Sequence, residues 1–191
     1  ITKTSPTQRI GNTVLEGFTK IKHAIPMMSL ADVFNEEELL DWNEKVCKAL
    51  MVKDVEYSAE MKIDGLSLSV VYQDGILQYC ATRGDGTVGE DVTSNALTIP
   101  SIPTRIPLHG RVEVRGEVYM PKKSLEELNK ERQLNNEPLL ANARNAAAGS
   151  IRNLDSSVAK KRKLDAWFYY LEDAEKLGFK NHFDSIMYLK K

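Results

Sequence analysis

The stretch EMKIDGLSLSVVY, residues 60–72, places charged residues directly before an apolar run. Glu60, Lys62 and Asp64 alternate with apolar residues, and side chains two positions apart point to the same face of a β-strand. We therefore predict a strand over 56–64 with these three charges on one face. That face is either a solvated strand edge with paired charges or the floor of a charged pocket.

The residues that follow continue the β pattern, with turn signals between the strands. An Asp-Gly pair at 74–75 indicates a hairpin, and RVEVRGEVYM alternates in the manner of a further strand. The additional strands that we predict cover 66–72, 76–82, 111–120 and 164–172.

Helical patterns lie before, between and after these strands. Asn35 can cap a helix whose Glu38 completes a capping box. We expect this helix to pack on a core through an apolar face formed by Leu39, Trp42, Val46 and Leu50. Further helices are predicted over 122–135, over 142–153 with a break near Gly149, and over 182–191. The mixture of hairpins and helices indicates an α+β domain.

Composition bounds the class of protein without naming a partner. At 191 residues the chain can bury one sizeable core, and its net charge is −1. Residues 143–163 nevertheless carry six basic residues against one aspartate, which fits a phosphate-binding surface or, equally well, a solvated helical face. No apolar run reaches membrane-spanning length, and neither cysteine nor histidine spacing indicates a metal site. We expect a cytoplasmic protein without a membrane partner and assign no protein metal ligands.

Lys62 is the candidate nucleophile of the charged stretch. A deprotonated lysine amine attacks electrophilic carbon or phosphorus. Its two neighbouring carboxylates favour the ammonium form and oppose that role, and a bound metal ion or nearby arginines would reverse their effect.

Two later stretches carry residues suited to phosphate or ribose. The loop ATRGDGTVGED, 81–91, combines three glycines that permit close backbone approach with the planar fork of Arg83. The strand VEVRGEVYM places Glu113, Arg115 and Glu117 on one face. Two charged strand faces with a glycine-arginine loop between them in sequence favour a shared polar cavity.

A fourth stretch, ANARNAAAGSIRN, spaces Arg144 and Arg152 eight residues apart. On a helix the two arginines would be near enough in angle to reach one phosphate backbone. A small-residue helix packed closely on a sheet, with its arginines in solvent, explains the same pattern.

Together these stretches resemble the adenylation (nucleotidyltransferase) domain of bacterial NAD-dependent DNA ligases. KIDG, 62–65, matches the K-x-D-G nucleophile motif, which is weak alone. The similarity extends in the family's order through HAIPMMSLADVF, ATRGDGTVGEDVTSNALTIPSIP, VEVRGEVYMP and ANARNAAAGSIRNLD, and covers residues 5–172. The resemblance implies a nucleotidyltransferase-type domain of antiparallel sheets flanked by helices.

The resemblance also implies the chemistry. Lys62 would attack the α-phosphorus of NAD to form lysyl-AMP and release nicotinamide mononucleotide, with Mg²⁺ present and Asp64 orienting the lysine or supporting the metal. Glu60 would read the adenine amino group, Arg83 would contact ribose and phosphate, and Glu117 would bind the ribose hydroxyls.

Further residues match the family's motifs. Ser29 and Leu30 would border the nucleotide, and Tyr169 would stack on adenine, although Tyr170 leaves that register open. Arg144 and Arg152 would engage nicked double-stranded DNA. In DNA replication and repair the family also requires other domains of the same ligase.

Some family features are missing from the sequence. It contains neither the D-G-x-x-x-K motif nor the later K-F-P lysine, so we expect the domain to be incomplete at its C-terminus. Residues 1–22 are expected to be a linker or the remnant of a preceding helical domain, and 23–191 the N-terminal portion of the adenylation domain. We expect no nick sealing by this chain alone. The alternatives are an ATP-using nucleotidyltransferase and an inactive, nucleic-acid-binding module of the same fold.

Overall fold

The computed structural model describes residues 17–190, which form an α+β domain. The elements in chain order are β1 (Lys20–Lys22), α1 (Glu36–Leu50), β2 (Leu66–Gln73), β3 (Ile76–Thr82), β4 (Val88–Glu90), α2 (Thr93–Ala96), β5 (Arg111–Tyr119), α3 (Lys122–Leu134), α4 (Ala143–Ile151), α5 (Ser156–Lys161), β6 (Asp165–Leu171), a 3-10 turn (Ala174–Leu177) and α6 (His182–Leu189). Helices flank antiparallel sheets, as predicted. Within the described range, no helix is both long and apolar enough to cross a membrane.

The main sheet has four antiparallel strands in the order β3-β2-β5-β6. The β2–β3 hairpin turns at Asp74 and Gly75, which both have positive φ, a conformation that Asp-Gly accommodates well. All four strands lie where the sequence predicts them. Their pairing brings residues far apart in the chain onto one surface.

The apolar core lies on one face of this sheet. Leu68 and Val70 of β2 and Val112 of β5 point into it, and Ala147 and Ile151 of α4 pack in the same cluster. Each fully buried Leu, Val or Ile side chain of this cluster stabilises the fold by about 1.5–3 kcal/mol. Alternate residues of the same strands carry serines and charges, so the opposite face is polar.

A second, two-stranded sheet pairs β1 antiparallel with β4, with Ile21 opposite Gly89. Residues 1–16 of the predicted linker lie outside the described residues, and the last three of its residues, Lys20–Lys22, form this strand. The assignment of the whole segment 1–22 as a linker or remnant stays a prediction.

The predicted strand over 56–64 is wrong. The described chain has no regular secondary structure there, and Met61, which should face a core, is 72% exposed. A strand requires a neighbour for its backbone groups, and within residues 17–190 the ladders of β2 begin only at Leu66. Alternation in sequence therefore indicated a strand that has no partner.

Helix α1 begins as predicted but does not pack as predicted. Asn35 caps it by accepting from the Glu38 amide at 2.9 Å. Leu39 is 48% exposed and Leu50 58% exposed, whereas only Cys47 is buried among its residues. The periodicity identifies an apolar face, but it cannot say that another element covers that face.

Helix α4 continues through Gly149, where we expected a break. A side-chain carbon at Gly149 would meet no atom within 4 Å, so the glycine has no packing requirement there. An interior glycine costs about 1 kcal/mol relative to alanine. Burial of Ala146, Ala147 and Ile151 on the same helix outweighs that cost.

Candidate functional site

The centre of the polar face is the pair Ser67 and Glu117, which lie opposite each other on β2 and β5. The Ser67 hydroxyl donates to Glu117 Oε2 at 2.9 Å, and Glu117 is only 9% exposed. Burial raises the pKa of Glu117, while the Ser67 hydrogen bond and the charges of Arg144 and Lys62 act in the opposite direction. Lys62 and Arg144 therefore lie close enough to influence this carboxylate.

Tyr169 reaches the same place through an irregularity in the sheet. The register of β5 and β6 shifts between Arg115, which pairs with Tyr170, and Gly116, which pairs with Phe168, so Tyr169 is an extra residue. Burial raises the Tyr169 pKa and the Glu117 charge adds to it, while a hydrogen bond with Ser67 opposes both. The structure thus brings Tyr169 beside Glu117.

Gly116 permits this irregularity. A side-chain carbon there would lie 2.6 Å from the Trp167 carbonyl oxygen and 2.8 Å from the Phe168 ring. Tyr170 faces α6, where its ring centroid is 5.9 Å from that of His182. The two neighbouring tyrosines therefore have different surroundings.

Arg83 and Ser29 meet at the glycine loop. Arg83 Nη1 donates to Ser29 Oγ at 2.9 Å, and the Met27 amide donates to the Gly86 carbonyl at 2.8 Å. Gly86 has φ 94°, and a side-chain carbon there would lie 2.8 Å from the Met27 carbonyl oxygen. Glycine is required at this crossing, and the loop holds the segment that carries Ser29.

His23 also holds the glycine loop in place. Its Nε2 lies 3.1 Å from the carbonyl oxygens of both Thr82 and Arg83, so this nitrogen carries the proton and donates. The His23 amide donates to the Thr87 carbonyl at 2.9 Å. His23 is buried, and its role here is to hold two backbone segments together.

The K-x-D-G segment lies at the rim of the polar face. Lys62 and Asp64 are exposed, and Arg144 lies beside Asp64, with Nε 3.5 Å from Asp64 Oδ1. Arg144 Nε also donates to the Gly65 carbonyl at 3.1 Å. A side-chain carbon at Gly65 would lie 2.1 Å from the Val118 carbonyl oxygen, so only glycine fits where the motif meets β5.

Two predicted site residues lie away from this cluster of contacts. Glu60 contacts α6, where its Oε1 is 2.8 Å from His182 Nε2, and it accepts from the Ser58 hydroxyl at 3.0 Å. The Leu30 side chain is 75% exposed. Their predicted contacts with a nucleotide stay predictions.

Arg152 lies at the end of α4 and pairs with Glu90. Its Nε and Nη2 donate to the two carboxylate oxygens at 2.6 and 3.2 Å, and this contact lowers the Glu90 pKa. Asn95 Nδ2 donates to the carbonyls of Ile151 and Asn153 at 2.6 and 2.7 Å, which fixes the backbone on both sides of Arg152.

The described residues contain no cluster of three or more acidic, histidine or cysteine side chains placed to hold a metal ion. Mg²⁺ is commonly bound by one or two carboxylates together with substrate phosphates. The exposed Asp64 fits that mode of binding better than a site made by protein alone.

Sequence reasoning missed several residues that build the site. Ser67 and Ser69 alternate in β2 on the face that receives Glu117, and that alternation could have identified them. Arg115 was noted only as one charge of its strand. The contact between His182 and Glu60 carries no sequence signal, because it depends on how α6 packs.

Comparison with known proteins identifies the family. The model of the NAD-dependent DNA ligase adenylation domain matches residues 15–191. The chain is 48% identical over 190 residues to the DNA ligase of Petrotoga mobilis, covering 100% of this chain and 28% of that protein. It is 50% identical over 188 residues to the DNA ligase of Anoxybacillus flavithermus, covering 98% of this chain and 28% of that protein.

A third relative, the DNA ligase of Thermotoga maritima, is 46% identical over 191 residues. The chain thus spans 28% of the length of each of these relatives. The family model covers nearly the whole chain. The chain belongs to the family of NAD-dependent DNA ligase adenylation domains.

Proposed function

We propose that this chain is the nucleotide-binding part of an NAD-dependent DNA ligase and that Lys62 is its nucleophile. The deprotonated Lys62 amine attacks the α-phosphorus of NAD and forms a nitrogen–phosphorus bond. The pyrophosphate bond breaks, nicotinamide mononucleotide leaves with the bonding electrons, and the amine proton passes to water. The observation that carries this proposal is the packing of the K-x-D-G segment on β5, where Gly65 lies against Glu117 and the Val118 carbonyl, in a chain of this family.

Different side chains around Lys62 contact different parts of the nucleotide. Glu117 has one carboxylate oxygen bound by Ser67, and its other oxygen accepts from the ribose hydroxyls. Tyr169, beside Glu117, stacks on the adenine ring. Arg83 contacts ribose and phosphate, and Ser29, which accepts from Arg83, borders the same part of the nucleotide.

The rim residues complete the nucleotide site. Glu60, whose orientation is fixed by His182, accepts a hydrogen bond from the adenine amino group. Leu30 forms an apolar border of the site. Asp64 orients Lys62 or supports Mg²⁺ at the phosphates. Bound Mg²⁺ supplies positive charge that offsets the phosphate charge and the effect of Glu60 and Asp64 on the Lys62 amine.

Arg144 and Arg152 bind the phosphate backbone of nicked double-stranded DNA. Arg144 is 57% exposed and Arg152 54% exposed, which leaves both guanidinium groups accessible. Arg152 exchanges part of its contact with Glu90 for a phosphate, and the planar guanidinium suits both partners.

The parent activity, sealing of nicks in DNA replication and repair, requires other domains of the same ligase, and this chain alone does not seal nicks. The length of the relatives, of which the chain covers 28%, supports this view. The unpaired and buried Cys47 and Cys80 fit a reducing bacterial cytoplasm.

The test is covalent labelling followed by peptide mass spectrometry. The chain and its Lys62→Arg variant are incubated with NAD and Mg²⁺, and the products are digested and mapped. An adenylyl group on the Lys62 peptide, labile in acid and absent from the variant, is the expected result, with slow accumulation in the isolated chain. An adduct on a different lysine, or equal labelling of the variant, would contradict the assignment. An inactive binding module would instead show DNA binding that is indifferent to Lys62→Ala.

A further inference from the structure

Arg115 lies two residues before Glu117 on the polar face of β5, but its side chain extends toward the segment before α1. Its Nη2 donates to the Ile25 carbonyl at 2.8 Å and its Nη1 donates to the Pro26 carbonyl at 3.2 Å. Arg115 is 9% exposed, and its two contacts with these carbonyls are partly buried. One guanidinium therefore binds two successive backbone carbonyls from a distant part of the chain.

Two buried carboxylates hold the guanidinium in place. Arg115 Nη2 lies 2.6 Å from Glu172 Oε1 and 3.4 Å from Glu113 Oε1. Glu113 in turn accepts from the Ser69 hydroxyl at 2.9 Å and from Arg111 at 2.6 Å. A planar fork with several donors can satisfy carboxylates and carbonyls together, whereas a lysine ammonium cannot span the same set.

The segment that Arg115 holds leads directly to the nucleotide site. Four residues after Ile25, Ser29 accepts from Arg83 at 2.9 Å, and between them the Met27 amide donates to Gly86 at 2.8 Å. Residues 25–29 have no regular secondary structure, so these few contacts determine the path of the segment. Loss of the Arg115 contacts would release the end of the segment opposite to Ser29.

We propose that Arg115 is a positioning residue, which anchors residues 25–29 to the sheet and thereby sets where Ser29 and Arg83 stand at the nucleotide site. The anchoring itself depends only on the contacts above, and its consequence for the nucleotide rests on the proposed function. A purely structural ion pair in the sheet is the competing explanation, and it predicts no special link to Ser29.

Arg111 provides a matched control. It contacts the same carboxylate, Glu113, at 2.6 Å, but its side chain is 40% exposed, and its contacts lie at the start of β5. Arg115→Lys and Arg111→Lys both keep the charge and both weaken a contact to Glu113. Only the first removes the fork that binds Ile25 and Pro26.

The first measurement is amide hydrogen exchange by NMR on the chain without nucleotide. We expect Arg115→Lys to accelerate exchange of the Met27 amide by about tenfold, while the core amides of Val70 and Val114 keep their protection. Arg111→Lys should leave the Met27 amide unchanged. Unchanged Met27 exchange in Arg115→Lys would overturn the proposal. If Arg115→Lys loses core protection, Glu172→Gln serves instead, because it loosens the guanidinium without removing it. Glu172→Gln should accelerate exchange of the Met27 amide selectively, by less than the change expected for Arg115→Lys. Unchanged Met27 exchange in Glu172→Gln would also overturn the proposal.

The second measurement is a double-mutant cycle on AMP affinity with Arg115→Lys and Ser29→Ala. We expect each single variant to weaken AMP binding by about fivefold to tenfold, and the double variant to be little weaker than Arg115→Lys alone. Fully additive effects would overturn the link from Arg115 to Ser29. Failure of the unaltered chain to bind AMP would contradict the proposed function, while the exchange measurement would still decide whether Arg115 anchors the segment.

Discussion

Ser67 and Glu117 face each other across the two central strands, and the Ser67 hydroxyl donates to Glu117 Oε2 at 2.9 Å. The hydrogen bond holds the Glu117 carboxylate on the polar face of the sheet. Burial raises the pKa of this carboxyl group, so it loses its proton at a higher pH than an ordinary glutamate. Two strands with polar residues on one face therefore hold a carboxyl group whose charge depends on the fold.

This pair predicts a pH dependence of both stability and binding. Because the Glu117 pKa is raised above its ordinary value of 4.5, the folded state binds the proton more tightly than the unfolded chain. Relative to Glu117→Gln, the unaltered chain should lose stability as pH rises from 4.5 through the folded-state pKa. AMP affinity should rise over the same interval, since we propose that the ionised carboxylate accepts hydrogen bonds from the ribose hydroxyls. Chemical unfolding and AMP titration at several pH values measure both effects. Both predictions would be contradicted if the unfolding free energy and the AMP affinity changed with pH in the same way in the chain and in Glu117→Gln.

A pair of glycine substitutions tests the irregular pairing that places Tyr169. Gly116→Ala brings a carbon within 2.6 Å of the Trp167 carbonyl, so we expect a loss of about 2 kcal/mol in the free energy of unfolding and weaker AMP binding. Gly149→Ala meets no atom within 4 Å and should raise stability by up to about 1 kcal/mol without changing AMP affinity. Urea denaturation checks both, and equal stability of the two variants would contradict the account.

The pair Glu90 and Arg152 predicts an acid-dependent contribution to stability. Arg152 lowers the Glu90 pKa, so the stabilisation is present above the ordinary glutamate value and is lost as pH falls through the folded-state pKa. Because Arg152 is half exposed, we expect only about 0.5–1 kcal/mol at pH 7. The difference in unfolding free energy between the chain and Glu90→Gln should shrink on acidification. Glu90→Gln should also change the free energy of unfolding by less when Arg152→Gln is present than in the unaltered chain.

Salt dependence tests the two arginines proposed to bind DNA. Loss of one phosphate contact lowers the slope of log affinity against log salt by about 1. Arg144→Ala and Arg152→Ala should each lower that slope for nicked duplex DNA. Lys176→Ala, which removes an exposed cation paired with Asp173 on the 3-10 turn, is the control and should leave the slope unchanged. A slope that falls equally for all three variants would indicate nonspecific charge effects rather than the proposed surface.

The sequence indicates the elements that carry their own periodicity and misses those that exist only through pairing. β2, β3 and β5 alternate or follow an Asp-Gly turn, β6 is rich in aromatic residues, and each lies as predicted. β1 and β4 have three residues each, and only their mutual hydrogen bonds make them strands. The predicted strand over 56–64 failed for the converse reason, because its alternation meets no neighbour among the described residues.

The candidate site shows the same division. The K-x-D-G lysine, Arg83 and Glu117 could be named from motifs. The position of Tyr169 beside Glu117 depends on one extra residue in β6, which alternation alone cannot place. The anchoring role proposed for Arg115 depends on contacts with carbonyls 89 and 90 residues away, for which a sequence has no local signal.

Nucleotide binding at the polar face can be tested by titrating this chain with AMP and following each backbone amide by NMR. We expect saturable shifts concentrated at Glu60, Lys62, Arg83, Glu117 and Tyr169. Absence of any shift would contradict it. So would shifts confined to the cavity of about 600 Å³ on the opposite, apolar face of the sheet, because that face carries none of the proposed nucleotide contacts.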